Sequence, residues 1–381
     1  EKLFPAQYLN KLLIFQIAFG FLCAYVLARS FRDGFKLSNW AGFFIYMILL
    51  APFYGPNGIA NKIMAESLTY SVFMITATFF IRSFFELTNK NILMFLLAAV
   101  LTALTRPQFL FIYPVIIIFY YYVFKNLKSL RQILWLSVAF VILIAGSSVF
   151  QKGYNYYKHG YFSGIPFTGV QIITPALYLS DSSETVLFTE DKKAAEYLET
   201  AYARMEAEKL SSKFNAPPNF LEFATHYGIV YNEISWRTAY DIYREKYATD
   251  RDKKELSVPE IIEFDKFSTG IAVKLLKNHY YQFAKLYAAN ILKGLGGYYY
   301  AGFLLFILYA SFIIYRDSGE AAGMAVFFIT ALNFFNYALI SVVEPVMMRY
   351  TFYTDTIQLA ALASLILLLK NRMSASGAGA K

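Results

Sequence analysis

The sequence predicts an all-α, polytopic transmembrane bundle of about nine spans carrying a helical extracytoplasmic cap. Three observations point there. Apolar runs of about 17–22 residues recur along the chain, each long enough to cross a hydrocarbon core roughly 30 Å thick as a helix. Of the 381 residues 57% are apolar and only 16% charged, outside the range of soluble domains. One long polar stretch, 151–297, interrupts the apolar runs and holds 18 of the 26 acidic residues.

Apolar runs set against charged punctuation place helices near 9–28, 38–52, 63–81, 91–105, 107–124, 131–150, 298–315, 320–340 and 352–369. The run 38–52 is short and ends in Ala51-Pro52-Phe53-Tyr54-Gly55-Pro56-Asn57-Gly58, which cannot continue a helix, so a broken or tilted segment is expected there. Four parts follow: 1–150 with six spans, an external domain over 151–297, 298–370 with the C-terminal spans, and a tail over 371–381.

Positive charge collects in alternate loops: Arg29, Arg32 and Lys36; Arg82 and Lys90; Lys125, Lys128 and Arg131; Arg316; Lys370, Arg372 and Lys381. By the positive-inside rule these face the cytoplasm, so residue 1 starts outside and the C-terminus ends inside, in a plasma (inner) membrane if the cell is bacterial. An outside start implies a helix upstream of Glu1. The excursion 151–297 balances 18 Lys/Arg against 18 Asp/Glu, so the whole net charge of +9 belongs to the membrane part. A basic rim on the cytoplasmic leaflet accounts for it without a nucleic-acid partner.

Within the excursion, helices are expected from Thr189-Glu190-Asp191 to about Lys213, over 219–248 after the Pro217-Pro218 break, and from Ser257-x-Pro259-Glu260 toward Leu292. Cys23 is the single cysteine, which excludes an intrachain disulfide. His159, His226 and His279 are scattered without metal-ligand spacing, so no metal and no cofactor is expected. Nucleotide-binding and hydrolase motifs are absent from the sequence.

Charges at membrane depth are costly and therefore functional suspects. The outer turns hold Lys62 with Glu66, Arg106 before Pro107, and Glu344 with Arg349 and Tyr350. Lys152, Tyr154, Tyr156, Tyr157, Lys158 and His159 leave the sixth span, and Lys277, His279, Tyr280 and Tyr281 return to the seventh. Arginine, lysine and histidine among tyrosines at one interface suit a phosphate or diphosphate whose isoprenoid tail stays in lipid. Snorkelling and an aromatic belt are the plainer account of Lys62, Lys152 and Lys158, and interfacial packing that of His226 and His279.

Ala65-Glu66-Ser67-Leu68, then Ala103-Leu104-Thr105-Arg106-Pro107 with Tyr113-Pro114, then Glu344 to Arg349-Tyr350 before the last span, resemble the GT-C membrane glycosyltransferases. That superfamily includes the protein O-mannosyltransferases and the lipid A aminoarabinose transferase, which use polyprenyl-phosphate sugars at the outer membrane face. Gln7-Tyr8-Leu9-Asn10-Lys11-Leu12-Leu13 resembles the second helix of that fold, and the likeness runs in order over most of residues 5–370. It implies a glycosyltransferase with a lipid-linked sugar as donor and a glycan, lipid or protein as acceptor. Its catalytic carboxylate belongs in the first outer loop, which implies an acid upstream of Glu1 or on a separate chain. Arg106 and Arg349 are then expected to bind the leaving phosphate, with Lys62 and His159 as further cations and Glu66, Glu344 and Tyr350 positioning them or the sugar. The rival readings are a transporter or flippase, a non-enzymatic membrane subunit, and, among enzymes, an O-antigen ligase or polymerase.

Overall fold

The computed structural model describes residues 6–54, 65–126, 129–164, 168–214, 219–250 and 254–378. These are helical, with no strand among them. Fifteen α-helices follow in order: α1 Ala6–Gly34, α2 Asn39–Leu50, α3 Ala65–Phe85, α4 Asn89–Thr105, α5 Ile112–Asn126, α6 Leu130–His159, α7 Thr168–Leu179, α8 Lys192–Ala207, α9 Phe220–Asn232, α10 Asp241–Tyr247, α11 Val258–Asn278, α12 Tyr280–Gly294, α13 Tyr298–Ser318, α14 Ala321–Val343 and α15 Met348–Ala378.

Seven of the described helices are long and apolar enough to cross a membrane: those of α1, α3, α5 with the 3₁₀ turn before it, α6, α13, α14 and α15. Two other expected crossings are shorter apolar helices, Asn39–Phe53 and Asn89–Thr105. The break expected after residue 50 begins as a 3₁₀ turn, Ala51–Phe53. The rest of that turn-forming stretch, and Lys62 with it, lies outside the described residues.

Several helices outrun their apolar stretches. α6 continues through Gln151, Lys152 and Asn155 to His159, where Gly160 takes φ +77° and its N–H closes onto the Tyr156 carbonyl. Polar residues end a hydropathic run but not a helix; a left-handed glycine does. In the excursion, Asp191 and Asn219 cap α8 and α9 through their side chains. A π-helical turn, Glu233–Tyr240, joins α9 to α10. The expected third helix is instead two, α11 and α12, divided at His279. α7, with Pro175 inside it, has no counterpart among the sequence expectations.

The chain divides into two compact units: Glu1–Val149 with Gly302–Asn336 and Met348–Lys381, and Phe150–Ala301 with Tyr337–Met347. The first is built on α1, α3 and α4, with Phe80 packed among Phe84, Phe95, Phe119 and Phe328. Hydroxyls join its helices: Thr76 to Thr102 at 2.8 Å and Tyr70 to the Leu49 carbonyl at 2.8 Å. Each such bond in lipid is worth roughly 0.6 kcal/mol. The second unit has its own apolar core, in which Tyr178 and Tyr197 are fully buried. Their hydroxyls reach His226 Nδ1 at 2.9 Å and the Ala239 carbonyl at 3.0 Å. Its close α7–α11 packing depends on Gly169, where a Cβ would lie 2.2 Å from Ser268 Oγ.

Candidate functional site

The chain turns sharply after α4 because Pro107 disfavours helical backbone at the residue before it. Arg106 is accordingly extended, with φ −155° and ψ 133°, and this projects its side chain from the helix end. Guanidinium Nη1 lies 3.0 Å from Glu66 Oε1 and donates to the Tyr353 hydroxyl at 3.1 Å. Glu66 stands in the first turn of α3 and Arg106 at the C-terminal end of α4, so each charge also complements its helix dipole. The Glu66 side chain is 8% exposed and that of Arg106 18%. Burial alone would lower the Arg106 pKa, but Tyr353 and Glu66 outweigh it and hold the group above its ordinary value. Arg106 is a fixed cation.

Tyr350 and Tyr353, three residues apart in the first turns of α15, share a helix face. The Tyr350 ring receives two cations: the Arg106 guanidinium carbon is 5.6 Å from its centroid and that of Arg349 is 4.7 Å. Arg349 also donates to the Tyr350 hydroxyl at 2.8 Å while remaining exposed. Gln108 Nε2 and Asn336 Nδ2 both donate to the Tyr350 carbonyl, at 2.6 and 3.1 Å. Gln108 Oε1 is a buried acceptor with no hydrogen-bond partner among the described residues. Two guanidinium groups therefore meet at one tyrosine ring, and among the described residues Arg106 is the one paired with a carboxylate.

Of the residues expected at the site, Arg106, Arg349, Glu66 and Tyr350 are together. Glu344 belongs to the second unit, where its carboxylate accepts from Gln171 Nε2 at 2.8 Å. His159 is exposed in the last turn of α6, whose end also exposes Tyr154, Tyr156 and Tyr157. His279 pairs with Glu184 and divides α11 from α12, and His226 bonds Tyr178 and is held below its usual pKa by burial. Both histidines have structural work within the second unit. Tyr353, Gln108 and Asn336 were not singled out from the sequence. Only Tyr353 carried a signal, its three-residue spacing from Tyr350.

Among the described residues, no group of three or more His, Cys, Asp or Glu side chains is placed to hold a metal ion. No protein-family model, curated protein or solved structure matches the chain.

Proposed function

We propose that the protein is a membrane glycosyltransferase of GT-C type, moving a sugar from a polyprenyl-phosphate carrier to an acceptor at the outer membrane face. The observation that carries this reading is the convergence of Arg106 and Arg349 on Tyr350, where among the described residues Glu66 pairs with Arg106 alone. A phosphate leaving group needs fixed donors at an interface where its tail stays in lipid. Arg106 is held in place by its partners, and Arg349 is exposed to receive phosphate oxygens.

In the proposed reaction the acceptor oxygen attacks the anomeric carbon. The bond from that carbon to the phosphate oxygen breaks, the electron pair leaves with the lipid phosphate, and a carboxylate takes the acceptor's proton. Arg106 and Arg349 stabilise the departing charge. The resemblance assigns that carboxylate to the first outer loop of the fold, and Glu66 is committed to Arg106. In this reading nine helices cross, the short α2 and α4 included. Residue 1 is outside, the tail is cytoplasmic, and 151–297 forms an external cap that selects the acceptor.

Membranes containing the full-length gene product, supplied with labelled polyprenyl-phosphate sugars, test this directly. Label is expected to leave the carrier for a membrane or protein acceptor, with Arg349→Gln slowing transfer by about 10²-fold. Transfer that ignores Arg349, or no transfer from any polyprenyl-phosphate sugar, refutes the proposal.

A further inference from the structure

A second basic constellation stands at the C-terminal end of α1. Arg29 and Arg32 occupy the last two turns of α1 and share one carboxylate, Asp33: Arg29 Nε lies 3.4 Å from it and Arg32 Nη2 2.7 Å. Arg32 Nη1 also donates to the Asn39 side chain at 3.2 Å, tying the end of α1 to the start of α2. Among the described residues, two cations share this one anion.

Between α1 and α2 these arginines line the head of a cavity of about 280 Å³. Farther along, its walls are Tyr25, Phe43 and Tyr46, with Tyr25 and Tyr46 in edge contact at 6.4 Å. Its floor is made by small residues, Ala28 and Gly42. A Cβ at Gly42 would lie 3.1 Å from Arg32 Cδ, so the glycine lets the Arg32 stem cross α2 toward the cavity head. Tyr25 and Phe43 are 54% and 55% exposed, which opens the aromatic part toward a bilayer. Neighbouring Trp40, 82% exposed, suits the headgroup level. Arg29 also lines an adjoining cavity of about 540 Å³ in which Lys36 and Arg82 face Asp33 and Glu86, so that cavity is mixed in charge.

We infer that the α1–α2 groove is a binding site for an anionic phospholipid, its phosphate held by Arg29 and Arg32 and an acyl chain lying along Tyr25, Phe43 and Tyr46. A free phosphate would use only the head of the groove. The exposed aromatic walls, which an acyl chain would cover, select the lipid. This site is independent of the proposed transfer reaction, since none of its residues belongs to the Arg106 cluster.

The test uses the purified full chain in detergent, titrated with short-chain phosphatidylglycerol, phosphatidylcholine or inorganic phosphate, with bound lipid read by native mass spectrometry. Phosphatidylglycerol is expected to bind saturably, and phosphatidylcholine at least about tenfold more weakly, the worth of one charge-assisted contact. Arg29→Gln should lower phosphatidylglycerol affinity about tenfold, whereas Arg316→Gln, an exposed arginine on α13 beside Asp317, should leave it unchanged. Arg29 is already 57% exposed, so its loss spares the fold; Arg32→Lys, which keeps the stem over Gly42, gives a second reading of the same loss. Equal binding of the two lipids, equal effects of Arg29→Gln and Arg316→Gln, or phosphate alone matching the lipid would overturn the inference.

Discussion

Two ends of the first unit handle arginine in opposite ways. Where α4 gives way to α5, Arg106 is nearly enclosed and has a carboxylate, a phenol hydroxyl and an aromatic ring around it. Where α1 gives way to α2, Arg29 is more than half exposed and shares one exposed aspartate with Arg32. A buried cation must be compensated by protein, because removing one partner of a buried pair costs about 3–5 kcal/mol. An exposed one is compensated by water, salt or lipid headgroups and is worth under about 1 kcal/mol to the fold. Compensation by protein fixes geometry, which suits a reacting group. Compensation by lipid leaves affinity for lipid.

The strongest way to break this contrast is Glu66→Gln, which keeps shape but removes the only carboxylate among Arg106's described partners. It should destabilise the protein by about 3 kcal/mol, read as unfolding in graded denaturant. A change as small as that of an exposed pair would place Arg106 in water. Tyr353→Phe should cost less, about 1.5 kcal/mol, because one bond from a charged donor is lost while the buried ring still packs on Phe73 and Phe109.

Glu260 sharpens the comparison from the second unit, as a half-buried charge fixed by hydrogen bonds. The Ser257 hydroxyl, Thr249 N–H and Ser257 N–H donate to it, and they pull its pKa down to about 2 from the ordinary 4.5. A depressed carboxylate stabilises the fold above its unfolded pKa and loses that contribution as pH falls. Glu260→Gln should therefore lower thermal stability by about 1 kcal/mol or less at neutral pH, with the gap from wild type closing between about pH 4.5 and 2. A gap constant across that range would contradict the hydrogen-bonded carboxylate. The smallest effect belongs to Arg29→Gln, expected to shift stability by under about 0.5 kcal/mol while weakening phosphatidylglycerol binding.

Much of this was legible in the sequence, for identifiable reasons. Helix class followed from apolar runs, and the Arg106 turn from the single residue Pro107. The capping pair Ser257 and Glu260 was readable from its three-residue spacing. Helix ends were less legible because hydropathy falls before hydrogen bonding does: α6 runs nine residues past its expected end, to the glycine that stops it. At the site, Glu66 and Arg106 were each visible as charges, but their pairing across 40 positions depends on how α3 meets α4. Glu344 was likewise visible as a charge, but the bond its carboxylate accepts from Gln171, 173 positions away, depends on tertiary folding. Tyr353 looked like any ring in an aromatic-rich span until its hydroxyl was found on Arg106.

The central claim is that Arg106 and Arg349 form a phosphate seat around Tyr350. Its most direct test is equilibrium binding of polyprenyl phosphate to the purified protein in nanodiscs containing phosphatidylglycerol, which fills other anion-binding surfaces. Arg349→Gln, a change at an exposed side chain, should weaken binding about tenfold, and Arg316→Gln should not alter it. Wild-type affinity retained in Arg349→Gln would contradict the claim.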